Sequence, residues 1–316
     1  MRAIPLFTLL LVGGWCAIPA HADDAQDWLS RLSQAEQQQS FQGTFVYERN
    51  GSFSTHNIWH RVQDGKVRER LLQLDGSAQE VVRIDGHTQC VSGSLIAGLG
   101  NTPDSTSRAL DPQKLKNWYD LAVIGKSRVA GRQAVIVALT PKDQHRYGFE
   151  LHLDKETGLP LKSLLLNDKG QLLERFQFTR MNVAAPADAD LQASAECKPV
   201  AQDPVKTVAA KTAWHSDWLP PGFELTSSAA RKDPDTQVQV SSLMYDDGLA
   251  RFSVFLEPLN GANATDTRTQ LGPTAAVSRR LTTPQGEMMV TVVGEIPIGT
   301  AERIALSMRS DVTATQ

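Results

Sequence analysis

Four dipeptides constrain this chain more than anything else in it. Asn50-Gly51, Asp64-Gly65, Asp75-Gly76 and Asp85-Gly86 recur about every ten residues. Both residues of such a pair tolerate positive φ, which a two-residue hairpin turn requires. Between the turns, the side chains alternate. Phe41, Gly43, Phe45 and Tyr47 stand against Gln42, Thr44, Val46 and Glu48. Strands joined by tight turns are antiparallel neighbours, so this stretch reads as an up-and-down sheet. Strands follow at 121–129, 134–140, 147–154, 159–167 and 171–180, with turns at Gly131, Thr157-Gly158 and Lys169-Gly170. A sheet of about ten strands curls into a partial or complete barrel.

Two helical patterns and a second unit surround this sheet. Trp28, Leu29, Leu32 and Ala35 form one stripe of a helix over 24–39, and Asp111-Pro112 opens a short helix running to Tyr119. The stretch 92–108 is rich in Gly, Ser, Thr and Asn, with an apolar island at 95–99. From 183 to 213 the chain is rich in Ala, Pro, Asp and Lys and reads as a linker. Strand-like alternation resumes at 237–245, 250–256, 277–282 and 288–293, and Ala301, Ile304, Ala305 and Met308 mark the face of a closing helix. The expected class is therefore mainly β (α+β). A large domain spans 23–198, a linker 199–213, a small antiparallel sheet-and-helix domain 214–310 and a tail 311–316.

The first 22 residues stand apart from this fold. Arg2, an apolar core and Ala20-His21-Ala22 make a secretory signal cleaved before Asp23. Cys16 suggests a lipoprotein, but Trp15 is too large for the residue ahead of a lipid-bearing cysteine. The mature product is expected to be soluble outside the cytoplasm. Two cysteines remain in it, Cys90 and Cys197. An oxidising compartment permits a disulfide between them, and two separate thiols are the alternative. The formal net charge of −3 gives no electrostatic case for nucleic acid.

No motif for catalysis, metal or cofactor stands out. His56 and His60 share a strand face without a third ligand, and His145 and His152 read as outward-facing polar residues. Nucleophile elbow, phosphate loop and dinucleotide fingerprint are absent from the sequence. The feature that calls for explanation is the apolar face of the curled sheet. Phe45, Tyr47, Trp59, Leu72, Leu74, Phe149, Leu151 and Phe176 are, with Trp118, the candidate lining of a cavity for an acyl chain. Helices filling the trough would instead make it an ordinary core. Arg61, Arg68 and Arg70 make the early sheet locally basic, either as a solvated face or as a site for acidic groups.

Several segments resemble the MucB/RseB family. They are Phe41-Gln42-Gly43-Thr44-Phe45-Val46-Tyr47, Tyr147-Gly148-Phe149-Glu150-Leu151, Thr157-Gly158-Leu159-Pro160-Leu161-Lys162 and Leu219-Pro220-Pro221-Gly222-Phe223. The resemblance implies a periplasmic negative regulator of an envelope-stress sigma factor. It implies a LolA/LolB-like unclosed barrel with helices in its mouth. It also implies a small domain that contacts the periplasmic part of a MucA/RseA-type anti-sigma factor and shields it from proteolysis, with release by acylated lipid or lipoprotein. Partner contact is expected at Arg61, Arg68, Arg70, Trp214, Trp218 and Arg251. A lipid or lipoprotein carrier is the competing reading, and an enzyme is not expected. Oligomeric state, a homo-oligomer included, stays open.

Overall fold

The computed structural model describes residues 22–77, 79–93, 110–200, 213–232, 238–261, 264–284 and 286–311. The signal segment up to residue 21, the island at 95–99, the linker from 201 to 212 and residues 312–316 lie outside the described residues.

Helix α1 (Ala22–Gln38) leads into an eleven-stranded antiparallel sheet. Its strands are β1 (Phe41–Arg49), β2 (Ser52–Gln63), β3 (Lys66–Gln73), β4 (Glu80–Ile84), β5 (His87–Val91), β6 (Tyr119–Val129), β7 (Arg132–Pro141), β8 (Gly148–Asp154), β9 (Pro160–Leu166), β10 (Leu172–Asn182) and β11 (Lys198–Pro199). A helical turn, α2 (Pro112–Leu115), precedes β6. The spatial order is β11-β5-β4-β3-β2-β1-β10-β9-β8-β7-β6. Two meanders are thus sewn together where β10 returns beside β1, and the end strands β11 and β6 leave the sheet unclosed.

Three of the four diagnostic dipeptides are tight hairpin turns. Asn50, Asp64 and Asp85 each take positive φ, as do the glycines that follow them. At Asp75-Gly76 only the glycine does, and a longer connection runs from Gln73 to Glu80. The predicted helix from Pro112 to Tyr119 is only one turn. The Asp111 carboxylate caps it through the N–H groups of Gln113 and Lys114, and β6 already begins at Tyr119.

Register sorts the side chains onto two faces. Phe45 pairs with Phe178 and His56, Tyr47 with Phe176, and Ile58 with Leu71, which defines the inner face. Helix α1 lies on it. Ala25, Leu29 and Leu32 pack with Leu121, Val137, Leu139, Leu151 and Leu153, and Ala35 packs with Phe41, Phe45 and Phe178. Burial of this stripe holds the helix in place, at about 1.5–3 kcal/mol for each fully covered leucine.

His60 and His152 depart from the sequence reading, because both are buried, at 7% and 4% exposure. His60 stands opposite Phe41 and so faces inward. Its ring stacks on Phe41 at 4.8 Å, with Nε2 3.1 Å from the Glu36 carbonyl of α1. His152 lies beside Ser127 and Glu150, which satisfy both ring nitrogens. In each case neighbouring polar atoms make burial tolerable.

Residues 183–200 form a strap over the outer face of β2–β5. A 3-10 turn (Asp188–Leu191) buries Leu191. Glu80 is itself buried, with Oε1 2.6 Å from Arg70 Nε, and it accepts from the Ser194 N–H at 3.2 Å. Burial pushes the Glu80 carboxyl up, but the hydrogen bonds from Ser194 and Arg70 outweigh it and leave the group below its usual range. Cys90 and Cys197 are joined in a disulfide that pins the end of the strap.

The second sheet has the order β13-β14-β15-β18-β17-β16. Its strands are β13 (Glu224–Lys232), β14 (Gln239–Asp246), β15 (Arg251–Pro258), β16 (Thr267–Leu271), β17 (Thr274–Thr283) and β18 (Gly286–Gly294). Helix α3 (Ile298–Ser307) packs Ala301, Ile304 and Ala305 onto Val254, Val277, Val290 and Val292. A small ribbon pairs β12 (Trp214–Ser216) with β19 (Met308–Ser310). Strands β13 and β16 escape sequence reading because they are edge strands. Every residue of β16 is exposed, so it has no apolar alternation to display.

The cross-link joins residues 107 apart, and chain entropy assigns such a closure about 4–5 kcal/mol. Cys90→Ser with Cys197→Ser is expected to lower unfolding free energy in urea by that order. Proteolysis is expected to start within 183–200. An unchanged midpoint would mean that Glu80, Arg70 and Leu191 hold the strap unaided.

Candidate functional site at the junction of the two sheets

The loop between β7 and β8 carries Arg146, whose side chain is fully buried. It crosses from the large sheet to the small one. Arg146 Nη1 donates to Asp247 Oδ2 at 2.5 Å, and Asp247 is likewise fully buried. Nη2 donates to the Pro221 carbonyl at 2.6 Å and to Asp143 at 3.0 Å. Phe223, Tyr119 and Trp118 surround the guanidinium, with ring centroids 5.1, 5.6 and 5.8 Å away. Burial pushes the Asp247 carboxyl up. The N–H groups of Leu249 and Ala250 and the Arg146 charge pull it back.

Neighbouring contacts extend this junction on both sides. Tyr147 donates its hydroxyl hydrogen to the Ile296 carbonyl at 3.2 Å and accepts from Gln270. His145 meets Trp218 edge to face at 5.0 Å, and its Nδ1 lies 3.2 Å from Thr300 Oγ1. Arg49, at the end of β1, reaches Thr274 and Glu295. Gly222 takes φ +90°, and a Cβ there would lie 2.2 Å from Trp118 Cε2, so only glycine lets the indole close against this turn.

The predicted lining residues do not all come together. Phe45, Tyr47, Phe149, Leu151 and Phe176 share the inner face, as registers β1–β10, β10–β9 and β9–β8 require. Phe45 and Leu151 are sealed under α1, while Tyr47, Ile58, Leu71 and Phe176 remain half-buried at a rim. Trp59 and Leu72 point the other way. Trp59 pairs with Arg70, which also stacks on it at 5.0 Å, and Leu72 pairs with Glu80. A strand's two-residue period puts odd and even positions on opposite faces, and the long connection after β3 leaves Leu74 half exposed. Trp118 belongs to the junction.

Among the predicted partner-facing residues, Arg61, Arg68 and Arg70 lie on the outer face, and Arg61 and Arg70 reach the strap. Trp214 and Trp218 pack against the core of the small sheet, and Trp218 also meets His145 and Arg303. Arg251 is paired with Asp246, next to Asp247. Sequence reading missed Arg146 and Asp247. Their signal was faint, because an isolated arginine and an Asp-Asp-Gly turn look like solvated loop residues.

One cluster has the composition of a hydrolytic triad. Ser127 Oγ is 2.6 Å from His152 Nδ1, and His152 Nε2 is 2.8 Å from Glu150 Oε1. It spans the last three strands of the sheet, with Ser127 on the end strand β6 and His152 and Glu150 on β8, beyond β7. Burial lowers the His152 pKa, the wrong direction for accepting a proton near neutrality. The cluster closes a buried histidine's hydrogen bonds.

Comparison with known families decides what this architecture is. Residues 24–201 match the MucB/RseB N-terminal domain and residues 208–309 the MucB/RseB C-terminal domain. The chain belongs to the MucB/RseB family. The family is one of regulatory binding proteins. The chain is 64% identical over 310 residues to the sigma factor AlgU regulatory protein MucB of Pseudomonas aeruginosa, covering 97% of this chain and 98% of that protein. It is 29% identical over 291 residues to the sigma-E factor regulatory protein RseB of Escherichia coli K12, covering 89% of each. A crystal structure of MucB in complex with MucA(peri) superposes with a TM-score of 0.81 at 63% identity, covering 92% of this chain and 100% of that one. A crystal structure of MucB superposes with a TM-score of 0.68 at 62% identity, covering 91% and 98%.

Arg146→Met leaves a buried Asp247 without its counter-charge, which is expected to cost about 3–5 kcal/mol. Arg146→Met combined with Asp247→Asn removes both charges, keeps an acceptor for the Leu249 and Ala250 N–H groups and is expected to recover most of that loss. A double-mutant cycle from urea unfolding measures the coupling. Additive losses would show that the pair is not the element joining the sheets.

Proposed function

We propose that this chain is a periplasmic regulator that binds the periplasmic part of a MucA-type anti-sigma factor. It thereby shields that partner from proteolysis and restrains the sigma factor behind it. The observation that carries this reading is the full-length likeness to MucB in its complex with MucA(peri), at a TM-score of 0.81 against 0.68 for the crystal structure of MucB. The Arg146–Asp247 pair joins the two parts of the chain that match the family's two domains. The reading takes 23–198 and 214–310 as the two units, with 199–213 between them. Trp218 and Arg251, beside the junction, are the proposed partner-facing residues.

The protein acts by occupancy and carries out no reaction. Release by an acylated ligand belongs to the same reading. The half-buried rim of Tyr47, Ile58, Leu71 and Phe176 supplies apolar surface for a chain, and deeper entry displaces Leu29 and Leu32 of α1. Ligand and partner are then linked, so whatever factor the lipid takes from partner affinity, the partner takes from lipid affinity.

Calorimetry of the mature protein with a synthetic MucA-type periplasmic segment tests this. Saturable binding is expected, with protection of the segment from added protease and a loss of affinity when a lauroylated competitor is present. Absence of partner binding, together with recovery of lipoprotein in a pull-down, would replace the regulator with a carrier. Partner binding that ignores the competitor would remove the lipid step alone.

A further inference from the structure

The outer face of β2 and β3 carries a charge arrangement that neither the junction nor the inner face uses. Arg61 and Arg68 stand directly opposite each other in the antiparallel register. Like charges so placed repel and weaken the strand pair. Arg70, on the same face, is neutralised by Glu80 at 2.6 Å and by the Asp190 carbonyl at 3.0 Å. Arg61 uses Nη2 on Asp188 at 2.7 Å and Nη1 on the Pro186 carbonyl at 3.4 Å, but its Nε is buried without a partner. Arg68 Nε is also buried and unpaired.

Between these arginines opens a pocket of about 280 Å³ lined by Arg61, Gln63, Asp64, Lys66 and Arg68. Three cations face one carboxylate there. We propose that this pocket is an oxyanion site that takes a phosphate ester. Two guanidinium groups and an ammonium approaching from different strands suit a tetrahedral dianion. A planar carboxylate is already satisfied by a single arginine fork. A phosphate bound here accepts from the guanidinium and ammonium groups that line the pocket and relieves the Arg61–Arg68 repulsion. Its source is either a soluble phosphorylated molecule or a lipid headgroup. The site lies on the face opposite the apolar inner surface and does not rest on the anti-sigma reading.

The mature full-length chain is titrated with inorganic phosphate at constant ionic strength, so that bulk screening cannot mimic binding. One saturable site is expected in the parent protein and in K169Q, whose charge lies in the distant β9–β10 turn. Arg68→Gln and Arg61→Gln are expected to weaken it at least about tenfold. R68Q is expected to melt no lower than the parent without phosphate, since it removes a repulsion, and to lose the stabilisation that phosphate confers. Sedimentation with phosphatidylcholine vesicles, with and without phosphatidic acid, separates the sources. Phosphatidic-acid-dependent capture lost in R68Q assigns the phosphate to a lipid, and phosphate binding without it assigns a soluble ligand. The proposal fails if phosphate does not saturate and vesicles are not captured, if R68Q binds as the parent does, or if K169Q loses as much as R68Q. It also fails if R68Q weakens only the anti-sigma segment, which would make the pocket a site for peptide carboxylates.

Discussion

A guanidinium withdrawn wholly from water must find its counter-charge inside the protein, and Arg146 finds it in Asp143 on its own loop and in Asp247 across the junction. The requirement is severe, because an uncompensated buried charge costs more than most single packing defects. It ties the β7–β8 loop to the Asp247 turn, the Pro221 carbonyl and the Phe223 ring at once. Trp118 can then close only against a residue without a side chain, which Gly222 provides. The relative placement of the sheets is thus an electrostatic outcome that packing then completes.

Inside the large sheet, the same logic separates two surfaces with different chemistry. The inner face is covered by α1 through small and branched apolar residues, and a half-buried rim remains beyond the helix. The outer face of β2–β5 is ionic, and the strap supplies acceptors in Asp188 and the carbonyls of Pro186 and Asp190 and a donor to Glu80 in Ser194. The disulfide fixes the end of that strap, just before the chain leaves for the second sheet. Such a division suits a regulatory binding protein. Each face can answer a different ligand while the junction keeps both in one body.

Much of the architecture was legible in the chain. Alternation and Asn-Gly or Asp-Gly turns announced the meanders, and the stripe of Leu29, Leu32 and Ala35 announced α1. The site was less legible. Trp59 and Leu72 look as apolar as Phe45 and Tyr47, and only register shows that they face away from them. His60 and His152 look polar and are buried, since neighbours on other elements satisfy their nitrogens. Edge strands β13 and β16 have no apolar alternation because they bury little.

By itself the sequence determined local matters: where turns fall, which segments alternate, which helix stripe is apolar and that two cysteines remain to pair. These follow from φ/ψ preference and from side-chain period, which act within a few residues. Only the tertiary structure decided that Arg146 meets Asp247 and that α1 covers the inner face. Those outcomes depend on charges and surfaces a hundred residues apart in the chain. Their energies arise from desolvation, which exists only once the elements have come together.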